Sequence, residues 1–596
     1  MSYDRARAVA EITADSVARG RWPVDNDPSA RFPIYTRANI GEVFPDVVMP
    51  FSWTLWGIPH SEPGWREALC NLGAFDLDEF TPDRMEMLSV FGGYGYLNVS
   101  ASRIFGRRAP GLSPEAIDAS FFGEQPDVPP YAERPQDDSP KHAAALGETI
   151  AWVMSAPALP ELLRARARLI ALRDRRPDLA SLDDRALFER CLAICEADWE
   201  PLWVRHIMAT YHSMIPSGVI AQLCAAVELP QVAADILAVA GEVDSALPAR
   251  RLWQLSRLVH GSSCLSAHFN AGIEGLRSRV AADPQPQAQE FRFAFDAFLN
   301  EFGFRGPNEW EVASRCWELD ATAPLSAIDL MRRSGEDASP ATRMAERLRA
   351  RETAISEVRA RLAGDSELAA QFDAATAAAG VFFAARERTR SNCAILTHEM
   401  RMPMWELGRR YQQRGIFEHP NDFALFMVDE WRAALDGTLD LAALLPERAQ
   451  GMQRLAALEP PFIVNGQVPP LDEWRQRDRD TDAATVRTIQ GSPGCAGIAR
   501  GRARIVHDAA EPGDIGPGDI LVARHTDPSW TPLFSAVSGV IVDVGATVSH
   551  AVIVARELGV PCVTSATNAT RLIPDGARVE VDGGAGTVTV LGDDAA

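Results

Sequence analysis

The segment Gly545-Ala546-Thr547-Val548-Ser549-His550-Ala551-Val552-Ile553-Val554-Ala555-Arg556 holds the residues best suited to chemistry. Carrying a phosphoryl group on an imidazole needs a nucleophilic ring nitrogen, little steric cover and a fixed positive potential for the dianion. A helix beginning near His550 supplies that potential through free N–H groups and its dipole. Together these contribute roughly 0.3–1 kcal/mol when exposed and up to about 2 kcal/mol when partly buried. Ser549 is placed to cap the helix or to donate to the phosphate. Gly545 and Ala546 keep the approach open, so Gly545, Thr547 and Ser549 form the candidate phosphate loop. A Ser-His pair alone reads as an ordinary helix start, and its context decides the matter.

A second set of residues suits phosphoryl transfer to an acceptor, where fixed cations stabilise the spreading negative charge. Arg305, Arg315, Arg386 and Arg390 are the candidate cations. At helical spacing Arg386, Arg390, Cys393 and Thr397 form one stripe, and Glu387, Ser391, Ala394 and His398 form the next. One helix would thus present guanidinium groups beside a carboxylate and an imidazole. Glu309, Glu387 and His398 are the general-base candidates, in no order. The plainer reading of this stretch is a salt-bridged, solvated helix. His206, His212, His260 and His268 fall in helical stretches and read as structural. Trp53, Trp56, Phe91, Tyr94 and Tyr96 suit either a pocket for a flat substrate or a core.

These residues need elements to position them. Residues 1–458 read as a large, mostly α-helical body that binds the acceptor. Within it, 31–60 reads as irregular chain on a core and 107–141 as a long surface loop. Leu187, Phe188, Cys191, Leu192 and Cys195 share one helical face, and 341–414 predicts long helices. Residues 459–486, rich in proline and charge, read as a linker. From 487 to 596 the pattern changes to short β-branched runs: GIARGRARIV, DILVAR, GVIVDV, PCVT, ARVEVD and TVTVL. They predict strands, with one helix ending at Gly559 and a hairpin at VDGGAG.

Composition removes some functions. A net charge of -22 argues against nucleic acid or an anionic membrane surface as partner. Lys141 is the one lysine, so a P-loop is excluded and phosphate contacts fall to arginines and backbone N–H groups. The nine scattered cysteines without a C-x-x-C pair fit reduced thiols in a cytoplasmic protein, with no metal expected. No signal peptide or transmembrane helix is expected.

The pattern G-x-x-x-S-H-A-x-I-x-A-R-E-x-G-x-P-x-V, with GDILVARHTDPSWTPLF before it, resembles the phosphohistidine segment of phosphoenolpyruvate synthase, pyruvate phosphate dikinase and the rifamycin phosphotransferases. The resemblance spans about residues 488–591 and departs at Ala546, where dikinases usually have glycine. It implies a swivelling β/β/α domain with the phosphoryl group on His550. In the body, Tyr35-Thr36-Arg37-Ala38-Asn39-Ile40-Gly41-Glu42-Val43 with Pro50 resembles the same family. So do Phe302-Gly303-Phe304-Arg305-Gly306-Pro307-Asn308-Glu309-Trp310-Glu311 with Arg315 and Trp317, and Arg386-Glu387-Arg388-Thr389-Arg390. Phe304 stands where relatives often have histidine. Single-chain relatives carry an ATP-grasp domain or a phosphoenolpyruvate barrel that this sequence does not show. The resemblance to the large subunit of phenylphosphate synthase, and to the two-component hydroxyacetophenone and acetovanillone kinases, implies a separate ATP-grasp subunit that binds Mg-ATP. It also implies a small phenolic acceptor, and no cofactor on this chain. Rifamycin-type drugs or pyruvate as acceptor, and a non-catalytic regulatory role, are the alternatives.

Overall fold

The computed structural model describes residues 3–122, 128–155, 157–238, 244, 247–336, 339–477, 487–509, 511–545 and 549–591. They gather into two compact units. The first comprises residues 1–218, 308–314 and 381–479, and the second comprises 219–307, 315–380 and 480–596. The long helices Asp184–Ala226 and Ser366–Gln413 each contribute residues to both.

The first unit is mainly helical, as the sequence predicts, but it also holds a sheet that the sequence did not announce. Its strand order is Leu88–Phe91, Tyr94–Asn98, Ile34–Thr36, Ile463–Asn465, with every neighbouring pair antiparallel. The strands are three to five residues long and nearly all buried, so they lack the polar alternation that marks a half-exposed strand. The reading of 31–60 as irregular is corrected. After the strand Ile34–Thr36 come the helices Ile40–Val43 and Pro50–Ser52, and then a nine-residue π-helix, Trp53–Ser61. Segment 107–141 contains the helix Pro114–Phe122, and residues 123–127 lie outside the described residues. Of the segment read as a linker, 459–476 carries short strands that pair within the first unit, and 478–486 lies outside the described residues.

Among the described residues, the helix Ser366–Gln413 has one 18-residue stretch that is long and apolar enough to cross a membrane by length and composition alone. Its apolar residues Phe372, Ala375, Ala378, Ala379 and Phe382 are buried against the protein.

The C-terminal residues of the second unit form an eight-stranded mixed sheet. Its order is Thr488–Gln490, Thr587–Val590, Arg578–Asp582, Ile498–Ile505, Ile520–Ala523, Gly539–Val542, Cys562–Thr564, Ser492–Cys495. The four strands from Ile498–Ile505 to Cys562–Thr564 run parallel. Both faces of this parallel core are covered. Leu521, Ala523, Val540 and Val542 pack into one hydrophobic cluster, and Ile520, Val522, Ile541 and Val563 into another. That is the period-two alternation of a sheet buried on both sides. All six predicted strands and the VDGGAG hairpin are present. Thr488–Gln490 and Ser492–Cys495 were not predicted, because Pro493 and two glycines break their pattern.

The sheet docks on helices of its own unit. Leu330, from the helix Thr322–Met331, joins the hydrophobic cluster that holds Phe534 and Leu558. Arg347, from the helix Pro340–Leu362, donates from Nε to the carbonyl of Arg556 at 3.1 Å and from Nη2 to Asp235 Oδ1 at 3.1 Å.

Candidate functional site

His550 opens the helix His550–Leu558, which crosses from the strand Gly539–Val542 to the parallel strand Cys562–Thr564. The carboxyl ends of parallel strands are where ligands collect in such sheets, because helix N-termini and loops meet there. Ser549 caps the helix, its Oγ accepting from the Val552 N–H at 3.4 Å. Gly559 ends it in the left-handed region, at φ 65°. Gly545 is fixed by space: a Cβ there would lie 2.1 Å from Thr564 Oγ1. Its carbonyl accepts from the Ser565 hydroxyl. Thr547, with Ala546 and Val548, lies outside the described residues.

The imidazole is held from two sides. Thr526 Oγ1 lies 3.1 Å from Nδ1 and Thr531 Oγ1 lies 3.3 Å from Nε2. The Phe534 ring meets it edge-on with centroids 6.1 Å apart. His550 is only 5% exposed, which corrects the expectation of little steric cover. Both threonines come from the loop and short helices after the strand Ile520–Ala523, within the TDPSWTP part of the motif. The sequence drew attention to that stretch but not to these hydroxyls. Neutral imidazole has one donor and one acceptor nitrogen, and a hydroxyl serves either. Thr526 and Thr531 therefore orient the ring without fixing its tautomer.

The body candidates separate. In the first unit, Arg386 and Arg390 stand one helical turn apart. Burial lowers the Arg386 pKa, the Glu387 and Glu42 carboxylates raise it, and Arg390 lowers it further. His206, which the sequence left as structural, belongs with them. Its Nδ1 is 3.1 Å from Thr389 Oγ1. Burial, then the charges of Arg386 and Arg390, push its pKa down to about 3, so it is neutral. The signal that could have found it is weak: an isolated histidine in an apolar helix. Glu387 is buried at 6% exposure.

Aromatic rings run up to this cluster. Trp56 lies on Trp199 with centroids 4.6 Å apart, Trp199 stacks on Trp203 at 6.0 Å, and Trp203 meets Trp310 at 5.3 Å. His206 is 5.3 Å from Trp310. The indole N–H groups of Trp53, Trp56 and Trp203 are buried without a hydrogen-bond partner among the described residues. Trp53, Trp56, Phe91, Tyr94 and Tyr96 are all buried in the core. The Tyr94 hydroxyl donates to the Leu455 carbonyl at 2.9 Å and that of Tyr96 to the Pro461 carbonyl at 2.8 Å.

The other candidates take different surroundings. His398 is buried, and its Nε2 accepts from Arg176 Nη2 at 3.1 Å, which occupies the lone pair a base would need. Glu309 is buried, and its carbonyl accepts from Arg401 Nη2 at 2.8 Å. Arg305 and Arg315 belong to the second unit. Arg305 is buried with its guanidinium 4.8 Å over the Phe304 ring. Arg315 is exposed and pairs with Asp320 at 3.5 Å.

Two families of known proteins match parts of this chain. Residues 515–586 match the family described as the mobile domain of PEP-utilising enzymes, and 205–387 match that of the rifampicin phosphotransferase fourth domain. An uncharacterized protein of Mycobacterium tuberculosis is 28% identical over 612 residues, covering 96% of this chain and 63% of the relative. The prodigiosin synthesizing transferase PigC of Serratia marcescens is 32% identical over 345 residues, 56% of this chain and 38% of the relative. A rifampicin phosphotransferase of Streptomyces sviceus is 29% identical over 327 residues, 54% and 37%. The chain spans 63% or less of the length of these relatives.

Proposed function

We propose a function on one premise: this chain belongs to the PEP-utilising, phosphohistidine family related to rifampicin phosphotransferase. It is a phosphotransferase component in which His550 accepts a phosphoryl group and passes it to the hydroxyl of a small aromatic acceptor. The observation that carries this is the position of His550: at a capped helix N-terminus, with a threonine hydroxyl at each ring nitrogen, inside the segment that matches the mobile domain.

In the first step the lone pair of one ring nitrogen attacks phosphorus and the bond to the nucleotide's leaving oxygen breaks. The other nitrogen keeps its proton, held by a threonine. The helix N–H groups and the Ser549 hydroxyl stabilise the new dianion. In the second step the acceptor oxygen attacks phosphorus and the P–N bond breaks. Arg386 and Arg390 stabilise the moving charge, and Glu387 takes the acceptor's proton. The stacked rings beside this cluster, with indole N–H groups that have no hydrogen-bond partner among the described residues, support a flat, phenolic acceptor.

The donor is Mg-ATP held by an ATP-grasp partner subunit, and the C-terminal domain swivels between the two sites. The test is co-purification with such a partner, followed by ATP-dependent phosphorylation of a panel of phenols. Absence of phosphorylated phenol with a fully loaded carrier would reject the acceptor assignment. The match of residues 205–387 to the rifampicin phosphotransferase fourth domain favours a second reading, a rifamycin-type acceptor, and the same panel includes it.

A further inference from the structure

We propose that Cys264, His268 and Asp283 form a binding site for one divalent cation of zinc-like character. Cys264 and His268 lie at i and i+4 on the helix Ser263–Asn270, so both side chains leave the same face. Asp283 ends the helix Leu276–Ala282 and reaches back to them. The backbone N–H of Gln285 holds Asp283 Oδ1 at 2.9 Å, which turns Oδ2 toward both other groups. Oδ2 is 3.2 Å from Cys264 Sγ and 2.7 Å from His268 Nε2, and the three atoms lie within 4.8 Å of one another.

Thiolate, imidazole and carboxylate are the ligand set of zinc, with bonds of about 2.3, 2.0–2.1 and 2.0–2.2 Å. A tetrahedral centre with those bonds spaces its ligand atoms about 3.4–3.6 Å apart. The two distances to Oδ2 need to open by less than about 1 Å to admit the ion. Three protein ligands leave the fourth position to water. The surroundings are partly buried: His268 and Asp283 side chains are 21% and 13% exposed. The nearby Arg279 guanidinium is turned to backbone, donating to the carbonyls of His268, Gly272 and Glu274.

Without metal, the thiol S–H and the imidazole Nε2–H both donate to Oδ2, and the cluster is a satisfied hydrogen-bond triad. Binding exchanges those protons for the cation. Cys264 releases its proton to solvent. The imidazole proton moves to Nδ1 through solvent, freeing the Nε2 lone pair. One proton leaves per ion, and the dication with thiolate and carboxylate sums to zero charge. The site ties the helix Ser263–Asn270 to the turn before Pro286–Phe302, beside the core built from Leu265, Phe269, Phe291 and Phe295. This departs from the sequence's expectation of no metal, and it stands independently of the phosphoryl chemistry.

The experiment is cobalt titration of the full chain after chelator treatment, followed by zinc. One equivalent of Co²⁺ should give a thiolate-to-metal charge-transfer band that Zn²⁺ then removes with release of about one proton. Cys264→Ser should abolish the band, and Asp283→Asn should raise the titration midpoint about tenfold or more. Zinc should raise the Tm of the native chain but not of Cys264→Ser, with unchanged circular dichroism showing that the variant folds. No band in the native chain would overturn the proposal. So would a band that persists in Cys264→Ser, which would place the ligand at another cysteine.

Discussion

Thr526 Oγ1 stands 3.1 Å from Nδ1 of His550, so a hydroxyl fixed at the end of one parallel strand orients a ring at the end of the next. With Thr531 on the other nitrogen, the imidazole is aimed before any phosphate arrives. Replacing Thr526 or Thr531 with valine should slow loading by about 2- to 13-fold each, the cost of one hydrogen bond of 0.5–1.5 kcal/mol. Single-turnover phosphorylation measures the rate. Phosphorus NMR of the loaded protein identifies the substituted nitrogen. Equal, native rates in both variants would mean that the threonines do not aim the ring.

His550→Ala should abolish labelling and turnover when the loading partner and labelled ATP are present. The native label should be acid-labile and base-stable, as a phosphoramidate is. Because the ring is buried, the variant should also lose about 1–3 kcal/mol of stability, seen in denaturant unfolding. Native turnover by His550→Ala would remove the carrier role.

The purified chain, with no partner added, should neither hydrolyse ATP nor label itself. Robust ATP-dependent labelling of the pure chain would contradict the proposed division into two components.

Arg386→Ala and Glu387→Gln should leave loading of His550 near native and slow transfer to the acceptor. Loss of one fixed electrostatic contact costs about 2.7–4 kcal/mol, roughly a hundred- to thousandfold. The variants should accumulate phosphorylated protein while acceptor is present. Native decay of the phosphorylated chain in both variants would make this helix structural.

His206 gives a pH test. Its folded pKa lies near 3, below its unfolded value of about 6.5, so the unfolded chain binds the extra proton in between. Its contribution is fully present above about pH 6.5 and is lost as pH falls, by up to roughly 1.4 kcal/mol per pH unit. Asp25 and Glu311, both buried and raised to about 7, work in the opposite sense. The difference between His206→Asn and the native chain isolates the histidine. That difference should shrink steadily from pH 6.5 to 4.5 in denaturant unfolding, and a constant difference would contradict the assignment.

The sequence by itself determined the C-terminal architecture and the position of its histidine. Short β-branched runs cut by glycine and proline leave little choice but strands. A serine before His550 and a glycine at 559 mark both ends of one helix, because capping is a local matter of unsatisfied N–H and C=O groups. Only the tertiary structure decided what surrounds those residues. Thr526 and Thr531 lie 24 and 19 residues from His550 and meet it through parallel strand pairing. His206 and Arg386 come from different long helices, and no local period relates them. Tyr35 and Val464 pair across most of the chain length, in strands too short and too buried to show alternation. Caps and periods are properties of neighbours in sequence. The burial of His550 and the neutrality of His206 depend on desolvation and charge from distant residues, and those exist only once the chain is packed.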